Sequence, residues 1–131
     1  MVGLSAPHSA ALTRQGKTPP IPVLGTFLVD TGASGTCVDP GLVAPLGLTP
    51  TGSVDMQTPS TNGKPVSCPL YDASLIVPNG TAGTLPFVID ALPVMETTLR
   101  PQGIDGLIGR DFLSQCVLIC NGPTTIMTIC Y

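Results

Sequence analysis

The residues best suited to chemistry in this chain are three in a row, Asp30-Thr31-Gly32, at the end of the apolar run Val23–Val29. A carboxylate can deprotonate a water molecule or, when protonated, donate to a substrate carbonyl. The same tripeptide also suits a plain turn, because aspartate accepts backbone hydrogen bonds and glycine tolerates a positive φ. An apolar strand before it favours burial on both faces over an exposed hairpin end. The small residues 33–36 leave space around the carboxylate and allow another chain to approach closely.

A second segment, Gly106-Leu107-Ile108-Gly109-Arg110-Asp111, places an apolar pair and a glycine before a short helix. Together, the sequences FLVDTGAS at 27–34 and GLIGRDFL at 106–113 resemble the active-site framework of retropepsin-like aspartic peptidases. In that family the second segment lies beside the Asp-Thr-Gly loop and braces it from behind. The resemblance covers residues from about 23 to 130, so we interpret residues 1–22 as an N-terminal leader with the first strands and residues 23–131 as the retropepsin-like domain.

The chain has a single Asp-Thr-Gly, so the resemblance implies a homodimer in which Asp30 of each subunit completes a catalytic dyad. Two carboxylates that lie close together cannot both ionise at low cost, and the pair therefore holds one proton between them. In this interpretation Thr31 hydrogen-bonds across the two-fold axis, and Gly32 contacts the substrate backbone. The implied reaction is hydrolysis of an extended peptide or protein substrate, with no cofactor and no metal.

A β-hairpin flap covers the cleft in the family, and residues 55–65 are the candidate, because Asn62-Gly63 is a strong turn signal. The alternative is an ordinary surface hairpin. Together with the loop after Asp30, this segment supplies the predicted substrate-binding residues, namely Ala33, Ser34, Met56, Thr58, Ser60, Thr61 and Gly63.

One residue departs from the retroviral pattern. Those enzymes carry an acid two positions after the glycine of Asp-Thr-Gly, and here that residue is Ser34. Because the acid normally pairs with the arginine of the Gly-Arg segment, Arg110 needs another partner: Asp111, Asp105 or a residue of the other subunit.

The spacing of glycine and proline, 15 of each in 131 residues, favours short strands over long helices. We therefore expect an all-β fold, a retropepsin-like closed β-barrel or sandwich. One or two short helices should begin near Pro40, after the N-cap residue Asp39, and at Arg110. In the second helix Phe112 and Leu113 should point inward. Strands are predicted near 2–5, 10–14, 23–30, 54–58, 66–77, 84–90, 117–120 and 124–130.

The end of the chain, residues 124–131, is apolar and partly alternating. An exposed edge strand of this kind invites aggregation unless it is covered. Retroviral enzymes interleave such strands between subunits, so we predict that the segment lies at or near the dimer interface. The alternative is a strand of the subunit's own sheet.

The composition of the chain limits the kinds of molecule that it could bind. Charged residues make up 10% of the chain, and its net charge is −3 with five Lys and Arg. No basic patch is available for nucleic acid, and wide uncharged surfaces are typical of permanent interfaces. Five cysteines without a Cys-x-x-Cys pair and one histidine argue against a zinc site. With no signal-peptide pattern and no apolar stretch of membrane-spanning length, we expect a cytoplasmic protein that does not bind membranes.

Two other functions stay open at this point. The chain could be a catalytically weak relative that keeps the fold as a dimerisation or peptide-binding module, and Ser34 in place of the acid favours this. It could also be an unrelated acid-based hydrolase that uses Asp30 with Asp105 or Asp111 of the same chain. Only that last hypothesis predicts activity in a monomer.

Overall fold

A computed structural model describes residues 1–56, 64–79 and 83–131. The described residues form a mostly β fold with a few short helices, which confirms the all-β expectation at that level. The strands are β1 (Val2–Leu4), β2 (Phe27–Val29), β3 (Cys37–Val38), β4 (Gly52–Met56), β5 (Val66–Val77), β6 (Phe87–Glu96), β7 (Gly106–Ile108), β8 (Val117–Asn121) and β9 (Ile126–Cys130). The helices are α1 (Ala6–Arg14), α2 (Pro40–Val43) and α3 (Arg110–Leu113), and 3₁₀ turns cover Ala44–Leu46, Arg100–Gln102 and Gly122–Thr124.

Seven strands form one sheet, and its central part brings distant segments together. The strand order is β1-β5-β6-β3-β7-β2, with β4 paired to the first half of β5. β7 runs parallel to β2 and antiparallel to β3, and β3 runs parallel to β6. Within the described residues this order is open, ending at β1 and β2, so the predicted closed barrel is not found in the strand pairing. A single isolated bridge pairs Val2 of β1 with Val23, which precedes β2 in the chain and is not part of it.

The hydrophobic core is formed by side chains of the seven-stranded sheet together with side chains of α2 and α3. Phe112 of α3 and Leu42 of α2 have no exposed surface. Phe112 also meets Phe87 edge to face, with 5.3 Å between ring centroids. Phe112 and Leu113 point inward and Ser114 and Gln115 are exposed, as predicted.

One strand prediction was wrong. Residues 10–14, predicted as a strand, belong to α1. Pro7 lies in the first turn, where its fixed φ suits a helix. The segment also contains three alanines, and alanine has the highest helix propensity. Thr13 is accommodated because its hydroxyl donates to the Ser9 carbonyl at 3.0 Å, one turn earlier. The helix ends before Gly16, whose φ is +72°.

Other boundaries moved without a change of type. β5 has the predicted bounds, 66–77, whereas β6 extends from Phe87 to Glu96 instead of ending near residue 90. The strand predicted over 23–30 is regular only at Phe27–Val29. The helix predicted from Pro40 begins there, with Asp39 accepting from the Gly41 amide at 2.9 Å, and continues as a 3₁₀ turn to Leu46. None of the helices in the described ranges has the length and apolar composition that crossing a membrane requires.

β8 and β9 form a separate two-stranded hairpin. Tyr131, which follows β9, contacts the seven-stranded sheet, because its ring stacks on Phe87 of β6 with 4.8 Å between centroids. The Tyr131 hydroxyl also donates to the Leu85 carbonyl at 2.9 Å. Of the predicted terminal segment, residues 126–130 therefore pair with β8 and do not join the seven-stranded sheet.

A buried carboxylate ties together the loops behind β2, β3 and β7. Asp39 accepts hydrogen bonds from the amides of Gly41, Leu99 and Arg100 at 2.9–3.0 Å. Arg100 bridges to Asp105 at 3.1 Å, and Asp105 accepts from the Thr26 amide at 3.0 Å. Burial by itself raises the pKa of Asp39, but the three amides and the Arg100 cation outweigh it and hold that pKa below its ordinary value.

We expect Asp39→Asn to lower the free energy of unfolding at neutral pH by about 1–3 kcal/mol, because buried amides lose a charged acceptor. A carboxyl whose pKa is lowered by folding stabilises the protein above its ordinary value of 3.8 and loses that contribution as the pH falls below it. The difference from wild type should therefore shrink in acid. Urea unfolding at several pH values measures it, with the exposed Asp72→Asn as control. An equal difference at every pH would contradict this account.

Candidate active site

Asp30 lies where β2 ends beside its parallel partner β7. Its amide donates to the Ile108 carbonyl at 2.9 Å, which extends the strand pairing Val29–Ile108 by one residue. The chain then turns away from the sheet. Because the parallel pairing stops at this point, the carboxylate is carried to the end of the strand pair, and the side chain is partly exposed.

The turn after Asp30 closes on its own carboxylate. Asp30 Oδ1 accepts from the Gly32 amide at 2.8 Å, and the Asp30 carbonyl accepts from the Ala33 amide at 3.3 Å. A Cβ at position 32 would lie 3.1 Å from Asp30 Oδ1, a tight contact. Glycine at this position therefore lets the backbone approach the carboxylate.

Arg110 and Asp111 hold the carbonyl groups of this loop. Arg110 Nη1 donates to the carbonyls of Thr31 at 3.0 Å and Gly32 at 2.9 Å. The Arg110 amide donates to the Ala33 carbonyl at 3.0 Å, and the Asp111 amide to the Ser34 carbonyl at 3.3 Å. These contacts answer the question of the arginine's partner: among the described residues it is the backbone of the loop, and neither Asp105 nor Asp111.

Asp111 binds a fully buried hydroxyl. Its carboxylate accepts from the Thr36 hydroxyl at 2.7 Å and from the Thr36 amide at 2.8 Å. The Thr36 hydroxyl in turn accepts from the Gly109 amide at 3.2 Å. One threonine thus joins the end of the loop to both the strand end and the helix start of the second segment.

Close packing of two glycines completes the brace. A Cβ on Gly109 would lie 2.5 Å from the carbonyl carbon and oxygen of Gly35, and real Cβ atoms do not approach backbone so closely. Leu107-Ile108-Gly109 therefore lies directly behind the loop, as the resemblance implied.

A cleft of about 480 Å³ opens in front of Asp30. Four predicted site residues line it beside Asp30: Gly32, Ala33, Ser34 and Met56. Thr31 is exposed and does not line it. Four other predicted substrate-binding residues lie outside the described residues, namely Thr58, Ser60, Thr61 and Gly63.

Sequence reasoning missed several walls of the cleft. They come from four strands and the loop, and are Gly35, Cys37, Val54, Asp55, Met95 and Leu107. Leu107 was quoted only as part of the bracing segment and Asp55 only as the start of the flap candidate. For Cys37 and Met95 no local signal exists, since they meet through the pairing of β3 with β6.

Cys37 is a neutral thiol at this wall. Burial raises its pKa to about 11, with smaller contributions from Cys68, Asp111 and Asp30. A protonated thiol is a poor nucleophile, so Cys37 shapes the cleft as a small apolar side chain. Within the described ranges no group of three metal-binding side chains is found.

The carboxylates proposed for a single-chain hydrolase are engaged elsewhere. Asp105 binds Thr26 and Arg100, and Asp111 binds Thr36 and the Phe112 amide. Neither lines the cleft of Asp30. The geometry thus offers no dyad made from Asp30 and one of these two.

The comparisons with known proteins agree with this arrangement. A family model described as "Aspartyl protease" matches residues 16–112, which include the loop, the cleft walls and the bracing segment. The chain belongs to this aspartyl protease family, which is of the retropepsin-like type, and the resemblance stated from the sequence is confirmed. Neither curated proteins nor solved structures give a significant match.

Thr36→Val should destabilise the protein by about 1–3 kcal/mol, because the buried Gly109 amide loses its acceptor and Asp111 Oδ1 loses one of its two donors, the other being the Phe112 amide. Thr36→Ser keeps the hydroxyl and should retain most of that stability. Urea unfolding of the three proteins measures the difference. Equal midpoints for the valine and serine variants would show that the hydroxyl does not brace the loop.

Proposed function

We propose that the chain is one subunit of a homodimeric aspartic endopeptidase whose dyad is formed by Asp30 of two copies. The observation that carries the proposal is Asp30 itself, a partly exposed carboxylate at the end of a strand pair, facing a cleft. Membership of the aspartyl protease family supports a protease-type function. The cleft of one subunit offers no dyad with Asp105 or Asp111, which supports the contribution of a second copy.

The proposed mechanism needs two carboxylates in different protonation states. One Asp30 takes a proton from the attacking water, and the protonated Asp30 of the partner subunit donates toward the scissile carbonyl. Because the two share one proton, the titration belongs to the pair. In each subunit the Gly32 amide donates to Asp30 Oδ1 and orients the carboxylate, which keeps lone pairs on both oxygens for water or substrate. Gly32 O keeps a second lone pair for a substrate amide beside its bond to Arg110.

The cleft walls favour extended peptides with apolar side chains near the cut. Val54, Met56, Met95 and Leu107 supply aliphatic or thioether surface. Methionine adapts its shape through three rotatable bonds, so these walls suit aliphatic side chains of several sizes. β4 pairs with β5 on one side, and an extended substrate along its other edge would add main-chain hydrogen bonds.

The proposed dimer surface is the outer face of the β8–β9 hairpin, defined by the cross-strand pairs Val117–Cys130, Ile119–Thr128 and Asn121–Ile126. Val117, Ile119 and Ile126 on this face are 62%, 53% and 57% exposed. Residues 116–131 contain no charged side chain. A two-stranded hairpin is marginal alone, so covering this face with the same face of a second copy would stabilise it.

Cleavage of a peptide library between about pH 3 and pH 7 tests the activity. We expect Asp30→Asn to abolish cleavage, a statine-type inhibitor to block it, and the exposed Asp72→Asn to leave it unchanged. If wild type does not cut but binds peptides, the alternative function, a peptide-binding module, is favoured. If Asp30→Asn cuts like wild type, the dyad is refuted.

A mixing experiment separates a shared site from a single-chain one. After subunit exchange with a tenfold excess of Asp30→Asn, most wild-type chains sit in mixed dimers, and activity should fall by about tenfold. Unchanged activity would point to a site within one chain.

Ile119→Lys should weaken dimerisation by about 30-fold or more, because it buries an unpaired charge at the centre of the outer face. Sedimentation at several concentrations measures the effect. Ile21→Lys is the matched control, since Ile21 is an exposed isoleucine outside the hairpin. Identical sedimentation of both variants would exclude this face as the interface.

A further inference from the structure

Two peptide groups of the loop, Thr31–Gly32 and Gly32–Ala33, each accept one hydrogen bond at the carbonyl and donate another from the amide. In the first, the Thr31 carbonyl accepts from Arg110 Nη1 and the Gly32 amide donates to Asp30 Oδ1. In the second, the Gly32 carbonyl accepts from the same Arg110 nitrogen, and the Ala33 amide donates to the Asp30 carbonyl. Arg110 is thus joined to the carboxylate through a single peptide group.

We propose that Arg110 is a positioning residue for the reaction, which holds these two peptide groups so that the Gly32 amide is directed at the Asp30 carboxylate. The inference rests on the proposed peptidase function and deepens it. Arg110 does not line the cleft, and so it acts on Asp30 through the Thr31–Gly32 peptide.

The chemistry of the guanidinium suits this task. One Nη group carries two N–H donors in a fixed plane, and Arg110 Nη1 uses them on two successive carbonyls at 3.0 and 2.9 Å. Hydrogen bonds from a cation are shorter and stronger than neutral ones. A carbonyl that accepts such a bond polarises its peptide, and this strengthens the bond that the amide on its other side donates.

Arg110 forms no ion pair among the described residues, and its side chain binds the backbone of the loop. Among the described residues the ion pairs are those of Arg100 with Asp39 and Asp105. With Ser34 at the position of the retroviral acid, the described part of the chain gives the guanidinium of Arg110 no carboxylate. Its contacts are backbone carbonyls, so its geometry follows the loop itself.

Arg110→Ala should lower kcat by about 10- to 100-fold, since a misdirected reacting group costs rate rather than affinity, with KM within about threefold. Arg110 is exposed, so millimolar guanidinium should restore part of the lost kcat, whereas ammonium at the same concentration should not. Arg110→Lys keeps the charge without the planar pair of donors and should stay well below wild type. Arg14→Ala, an exposed arginine at the end of α1, is the control.

A kcat for Arg110→Ala within twofold of wild type, or a loss that guanidinium does not reverse in a folded variant, would overturn the proposal. A second measurement does not depend on cleavage. The NMR shift of the Gly32 amide proton should change more on Arg110→Ala in the wild-type background than in Asp30→Ala, where the carboxylate acceptor is absent. Equal changes in both backgrounds would refute the positioning role even if wild type proves inactive, whereas inactive wild type alone refutes the proposed function.

Discussion

The packing of one loop on one strand end is the constraint on which the rest of the structure depends. Every carbonyl from Thr31 to Ser34 accepts a hydrogen bond from Arg110 or Asp111. The contact is possible because Gly109 leaves no side chain between the two segments, where even a Cβ would meet the backbone of Gly35. The central strands β2, β7 and β3 are only two or three residues long. Their pairing brings the two segments side by side.

Five of the eight acidic side chains accept hydrogen bonds from other groups of the same chain. Asp30, Asp39, Asp105 and Asp111 each accept at least one backbone amide, and Glu96 accepts the Tyr71 hydroxyl. Carboxylates are suited to this because they accept several donors at once and need none of their own. Backbone amides in irregular segments have no strand or helix partner, and the carboxylates supply the hydrogen-bond acceptors that these amides need.

Local patterns predicted those elements whose stability is local. The bounds of β5, the start of α2 at Pro40 and the inward side chains of α3 all follow from periodicity, capping and proline. The helix at residues 6–14 was missed because its apolar residues are few and small, so a weak strand pattern competed with alanine's helix propensity. β3 carries no pattern of its own, since two residues become a strand only by pairing with β6 and β7.

In the candidate site, too, the features set by local motifs could be predicted, whereas those set by long-range contacts could not. Asp30, Gly32 and the bracing Gly109 could be identified from two short motifs. The carbonyl contacts of Arg110 could not, because sequence reasoning searched for an opposite charge, and the partner is backbone. The walls contributed by Cys37 and Met95 depend on a register that no single strand contains.

The architecture explains why association and catalysis would be linked in this chain. Its one Asp-Thr-Gly loop is braced entirely from behind by its own second segment, so a single subunit can hold the carboxylate in place. What a single subunit lacks is a second carboxylate in the cleft held at an equivalent position, since Asp55, which also lines it, lies on a different strand at the base of the flap candidate. The apolar outer face of the hairpin supplies a reason to associate that is independent of the site. In the proposed homodimer, a covered hairpin and a paired Asp30 would both depend on the association of two copies.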